Sequence, residues 1–276
     1  MPSSALRLRD LRAIYELSHE CFALGDDVRV WRHHFATRLA ALVGADLAIC
    51  GEMFGCRTGR PHPVGEVEWG WENGFDRDVW LRGMAELAGN PNFFRLLAHY
   101  TDRLTTEDGV SVTRAGMMPD REWYRSEEFQ TVLRGIGADH TLWCFRAVGS
   151  ASRDEFSGLI LYRAEGALDF NLRSWALLRE AHAQIASHVG GTLTRFSDPS
   201  PAALAPRVRE VLRCLLEGDS DKQIATRLEI SKYTVNQYVK VIFSHFGVAT
   251  RAELLARWIR RGWGNGFAWA NADARE

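Results

Sequence analysis

Tyr233, Asn236, Gln237, Lys240 and Ser244 recur at steps of three, one, three and four residues, a spacing that gathers them on one side of a helix. At about 100° per residue, Tyr233, Gln237, Lys240 and Ser244 share an arc of about 60°, with Asn236 and Val241 on its margins. Side-chain amides pair two bonds at a time with an adenine edge, an ammonium suits guanine or a phosphate, and a small apolar group suits the thymine methyl. A face rich in carboxylates would be repelled by phosphates, and this face has none. The opposite arc is apolar, with Val235, Val239, Ile242 and Phe246 as the expected core stripe.

A helix of this kind needs neighbours to hold it. PRVREVLRCLLEG places Val208, Val211, Leu212 and Leu215 at helical spacing, with Pro206 at the first helical position and Gly218 as the stop. SDKQIATRL opens with the S-x-x-Q capping box of Ser220 and Gln223 and offers Ile224, Ala225 and Leu228 to a core. Ser231 is the expected N-cap of the polar-faced helix, and Gly247 its stop before RAELLARWIRRG. Short helices separated by a three-residue turn predict a helix-turn-helix.

The run LAPRVREVLRCLLEGDSDKQIATRLEISKYTVNQYVKVIFSHFGVATRAELL resembles the LuxR/FixJ-type four-helix DNA-binding domain, over about 60 residues, in its P-R start, K-x-I-A core, I-S-x-x-T-V centre and G-V-x-T-R-x-E-L end. The resemblance implies that Asn236, Gln237 and Lys240 meet base edges and that Lys232 and Thr234, at the helix N-terminus, meet phosphate. It further implies a dimer contact at Leu255, Trp258 and Ile259. Three positions depart from the family. Its first capping box is replaced by Ala205 and Val208, a loss of about 1 kcal/mol. Its turn glycine is Glu229, for which a positive φ costs about 1 kcal/mol. Its central histidine is Tyr238, on the edge of the core face.

Charge agrees with this reading. Residues 204–263 hold eleven Lys and Arg against six Asp and Glu, whereas residues 1–203 hold 22 against 27. All three lysines, Lys222, Lys232 and Lys240, lie in the basic block, the footprint of a module that binds a polyanion. A receiver domain needs a lysine beside its phosphorylated aspartate, and no lysine precedes Lys222.

FSDPSPAALAPR, with three prolines, predicts a linker over 197–205 between a domain of 1–196 and a helix-turn-helix domain of 206–263, with a tail at 264–276. In the larger part, helices are expected over 6–24, with Leu8, Leu11, Ile14, Tyr15 and Leu17 on one face, and over 29–43. Further helices are expected over 76–104, broken near Gly89, over 120–135 and over 171–193. Strands are expected over 46–55, 64–71, 109–116, 139–148 and 156–166, the second with Val67, Trp69 and Trp71 on one face. This is an α+β order, an antiparallel sheet flanked by helices, and it resembles the GAF/PAS class of sensor domains. A similar order resembles acyl-homoserine-lactone receptors, without their Trp, Tyr and Asp spacing. Trp69, Trp71, Trp80, Trp123, Tyr124, Trp143 and Phe145 either line an apolar ligand pocket or simply pack the core.

No nucleophile elbow, phosphate-cradling glycine loop or H-E-x-x-H motif occurs, so neither catalysis nor a cofactor is expected. Cys50, Cys56 and His62 are spaced six and six, which is no common zinc pattern, and no metal is expected. Five scattered cysteines and the lack of an apolar leader predict a cytoplasmic protein. The expected whole is a homodimeric regulator that binds double-stranded DNA, with or without a small ligand on its larger domain.

Overall fold

A computed structural model gives the fold. It describes residues 6–57, 62–88, 103–104, 107, 109–148, 154–199 and 201–261. The chain forms two compact units. Unit 1 comprises Met1–Glu20 and Arg32–His188, and unit 2 comprises Cys21–Trp31 and Val189–Glu276.

Unit 1 is built on five antiparallel strands in the order β2-β1-β5-β4-β3: β1 (Leu47–Phe54), β2 (His62–Trp69), β3 (Gly109–Thr113), β4 (Ala138–Ala147) and β5 (Glu155–Ala164). Pairing of Leu47 with Tyr162 and of Trp143 with Ile160 fixes the register, so residues alternate between two faces apart from irregularities at Glu52/Met53 and Ala138/His140. On one face Leu47, Ile49 and Tyr162 pack with Trp80 and Leu87 of helix α3 (Arg77–Ala88) and with Trp123, Val132 and Ile136. Val110, Val112, Trp143, Phe145 and Phe156 form a second apolar cluster on that same face.

The other face meets α2 (Val28–Val43) and α4 (Leu172–Ala186). There Arg32, fully buried, pairs with the equally buried Glu52 and donates to Ser157 Oγ at 3.2 Å and Gly51 O at 3.4 Å. His182 of α4 shares Ser157 at 3.0 Å, and burial pushes its imidazole down to about 3. Trp175 of α4 donates its indole N–H to Ser111 O at 2.8 Å. An ion pair hidden in a sheet-helix layer carries no periodic signal, so nothing in the sequence marks Arg32.

Five expectations for unit 1 are corrected. Helix α1 (Leu8–Ala23) buries Ile14 and Leu17 but leaves Leu8, Leu11 and Tyr15 exposed, because its core direction passes through Asp10, which Arg173 holds at 2.6 Å. The strand expected over 109–116 stops at Thr113, whose hydroxyl caps a one-turn helix, Arg114–Met117, by accepting from Gly116 N. The helix expected over 120–135 is broken after Trp123 and widened over Phe129–Leu133. Ser126 Oγ donates to Trp123 O and accepts from Phe129 N, which competes with the regular ladder. The helix expected to reach 193 ends at Ala186. Strand β2 ends at Trp69, because the chain turns at Gly70 with φ of 100°, where an added Cβ would lie 2.3 Å from Asp46 O. The break expected near Gly89 lies outside the described residues.

The aromatic set therefore does not form one lining. Trp71 lies 5.7 Å from Trp80 between ring centroids, and Trp123 is fully buried beside them. Trp143 and Phe145 belong to the neighbouring cluster. Trp69 pairs with Ala48 and so points to the opposite face. Tyr124 stays partly exposed, its hydroxyl donating to Asp139 at 3.0 Å.

Among its described residues unit 2 carries a short turn of helix at Pro201–Ala203 and then α5 (Pro206–Leu216), α6 (Asp221–Arg227), α7 (Lys232–Phe246) and α8 (Arg251–Arg261). The stretch expected as a linker falls inside this unit. Just before it, Thr194 donates its N–H (2.8 Å) and its hydroxyl (2.9 Å) to Gly25 O, and the Trp31 indole donates to Thr194 O at 3.0 Å.

Candidate nucleic-acid interface

One apolar centre holds the four helices of unit 2 together. Val208, Val211, Leu212 and Leu215 of α5 meet Ile224 of α6, Val235, Ile242 and Phe246 of α7, and Leu254 and Trp258 of α8. Burying a large aliphatic or aromatic side chain contributes about 1.5–3 kcal/mol, and this stripe therefore dictates which side of α7 turns outward. Val239 and Tyr238 are half-buried against the same centre, so Tyr238 packs rather than projecting.

Local chemistry sets the ends of these helices. Ser220 and Gln223 complete the capping box, with Ser220 N donating to Gln223 Oε1 at 2.9 Å. Ser231 Oγ accepts from Thr234 N at 3.0 Å and starts α7, and Gly247 closes it in the left-handed region at φ of 59°. The turn before α7 is made by Glu229 at φ of 53°, the one non-glycine positive φ among the described residues. Helix α5 begins at Pro206 without any side-chain cap, as the replacement of its capping residues implies.

With its apolar side committed, α7 exposes Tyr233, Asn236, Lys240 and Ser244 to solvent, with Gln237 half-exposed among them and Val241 at the margin. Lys232 is exposed at the first turn, and Thr234 beside it is engaged with Ser231 at 2.8 Å between hydroxyls. Among the described residues, the side chains of Asn236, Gln237, Lys240, Lys232 and Lys222 have no hydrogen-bond or ion-pair partner. The arginines of the unit differ. Arg227 bridges Glu217 and Asp219, which raises its pKa further, Arg207 pairs with Glu210 and reaches Leu228 O, and Arg251 approaches Asp221 at 3.7 Å. These three guanidiniums thus brace the helices while the ammoniums stay unspent.

Sequence reasoning missed a shallow surface depression of about 450 Å³ on α6, lined by Lys222, Gln223, Thr226 and Arg227. Its signal was the pair Lys222 and Thr226, one turn apart. Of the three residues expected at a dimer contact, Trp258 is 6% exposed and meets Phe246 edge to face. Leu255 is half-buried, and Ile259 is 75% exposed.

Other chemistry is sparse. Burial pushes the Cys56 thiol up to about 12 and raises that of Cys50, which suits inert core sulfur rather than a metal ligand. His62 has its side chain outside the described residues. No group of three or more His, Cys, Asp or Glu among the described residues is placed to hold a metal ion. No described helix is long and apolar enough to cross a membrane.

Comparison with known proteins bears on the same segment. Residues 202–257 match the family model described as bacterial regulatory proteins, luxR family. The probable HTH-type transcriptional regulator GfsR of Streptomyces halstedii is 34% identical over 84 residues, covering 30% of this chain and 35% of GfsR. The transcriptional regulatory protein DesR of Bacillus subtilis is 34% identical over 68 residues, 25% of this chain and 33% of DesR. The matches thus span about a third of these relatives. A crystal structure of Escherichia coli SdiA covers 84% of this chain and 89% of its own at 14% identity and a TM-score of 0.38. The C-terminal helices form a luxR-family helix-turn-helix domain.

Proposed function

We propose that this protein is a DNA-binding transcriptional regulator whose helix α7 reads base edges in the major groove. The observation that carries the reading is the outward face of α7, where Asn236, Gln237 and Lys240 have no partner among the described residues, whereas Arg207, Arg227 and Arg251 of the same unit are held by carboxylates. Lys240 suits guanine or phosphate, the two amides suit adenine, and Val241 suits a thymine methyl. Lys232 at the start of α7 and the Lys222 depression on α6 supply phosphate contacts that position the helix without reading sequence. The protein acts in the cytoplasm as a homodimer on two half-sites, with Leu255 and Ile259 at the contact between helix-turn-helix domains. Residues 206–263 form the reading module, and residues 1–196 form a sensor domain of GAF/PAS type that catalyses nothing.

The sensor reading draws support from the helix-covered sheet face that holds Trp80 and Trp123. Among the described residues, Trp80 Nε1, Trp123 Nε1, Thr141 Oγ1 and Glu128 Oε2 are buried there with no partner, and buried polar groups ordinarily have one. A small ligand with hydrogen-bonding groups would satisfy them. Native mass spectrometry of the purified chain detects such a compound as added mass, and its absence from chain that binds DNA favours a pure interaction module. Selection from a random duplex pool with the full chain tests the main reading. Enrichment of a two-fold or repeated motif is expected, and an unenriched pool would sink it.

A further inference from the structure

Helix α1 carries an apolar ridge on its solvent side. Leu8 is 64% exposed, Leu11 41% and Tyr15 70%, at i, i+3 and i+7 along one line, while Ile14 and Leu17 face inward. Single exposed leucines are ordinary, but a row of three at helical spacing is what a partner helix covers.

Charge beside the ridge identifies the partner. Arg9 and Arg12 stand on one flank in the N-terminal half, and Glu16 stands on the same flank in the C-terminal half, all exposed. Arg12 and Glu16 have no side-chain partner among the described residues, not even each other at i, i+4. Such a helix is complementary to itself turned end for end. With Leu11 set across from Tyr15 of a second copy, Arg9 and Arg12 bracket that copy's Glu16, and symmetry repeats the contact.

We propose that this ridge is where unit 1 docks on a second copy of the chain, the two α1 helices lying antiparallel across a two-fold axis. An isologous contact of this kind uses one patch twice and closes on itself. The proposal deepens the two-copy part of the function proposed above and rests on it only for its purpose, since self-association is measured without DNA. The ridge is smaller than the roughly 800 Å² per partner of a standard interface, so an association in the micromolar range is expected, strengthened when both copies hold one duplex.

Sedimentation equilibrium of the full chain without DNA tests it. The parent is expected to dimerise below about 100 μM, and Leu11→Glu, Arg12→Glu and Glu16→Arg are each expected to raise the dimer Kd by about tenfold or more. The double variant Arg12→Glu/Glu16→Arg restores opposite charges across the axis and is expected to return to within about threefold of the parent. That rescue separates a contact from damage to the fold, and thermal midpoints of the charge variants should stay with the parent. A parent that is monomeric at 100 μM, unaltered dimerisation in the single variants, or a double variant as weak as the singles would each overturn the interface. If the parent dimerises as described but selects no DNA motif, the regulator reading fails and the interface stands.

Discussion

Phe246 and Trp258 meet edge to face, their ring centroids 6.3 Å apart and their planes at 79°. The contact fastens the last helix of unit 2 to the end of α7, so the helix that presents the polar face is held at its far end by an aromatic pair. Trp258 is 6% exposed, whereas Ile259 of the same helix is an exposed large apolar residue.

Trp258→Ala is therefore expected to cost about 3–5 kcal/mol of stability, as large-to-small changes in a packed core do. Ile259→Ala should stay within about 0.5 kcal/mol. Urea unfolding followed by circular dichroism distinguishes the two, and equal effects would contradict the burial difference.

The turn before α7 stores strain in Glu229, an exposed side chain held at φ of 53°. Glu229→Gly should raise stability by about 1 kcal/mol, since glycine adopts this conformation without its Cβ meeting the backbone. A lower thermal midpoint in the variant would show that the glutamate makes an offsetting contact.

Breaking the hidden ion pair of unit 1 should be costly. Arg32→Ala leaves Glu52 fully buried without its cation, for which about 3–5 kcal/mol is expected. The denaturation midpoint of purified protein reports it, and an unchanged midpoint would mean that solvent reaches Glu52.

Glu128 makes unit 1 sensitive to pH. Burial alone pushes its carboxyl up to about 8 from an ordinary 4.5. The folded chain then keeps a proton that the unfolded chain releases. Stability from this group is complete below about pH 4.5 and falls as pH rises toward 8. Glu128→Gln removes that slope, so the variant should gain on the parent between pH 5 and pH 8. Parallel unfolding curves at both values would refute it.

Much of unit 2 is legible in the sequence because its signals are local. The capping box at Ser220 and Gln223, the cap at Ser231 and the stop at Gly247 are each written within a few residues and appear as read. The core stripe of α7 follows from helical spacing alone. Unit 1 was legible in its strands, whose alternation survives in the register, and in its α+β class. Its failures were nonlocal. Apolar spacing in α1 was read as a core face, yet Arg173, 163 residues away, turns the opposite side inward by holding Asp10. Trp69 and Trp71 read as one strand face, and the turn at Gly70 parts them. Which base each amide meets depends on groups that the chain itself does not contain.

The most direct test of the account is a titration, at one fixed salt concentration, of the selected duplex with the parent, Lys240→Ala and Gln237→Ala. Lys240→Ala is predicted to bind more weakly by about tenfold or more, and Gln237→Ala to change the preferred base at one position of each half-site. Unaltered affinity in the first together with an unaltered motif in the second would contradict the assignment of α7 as the reading helix.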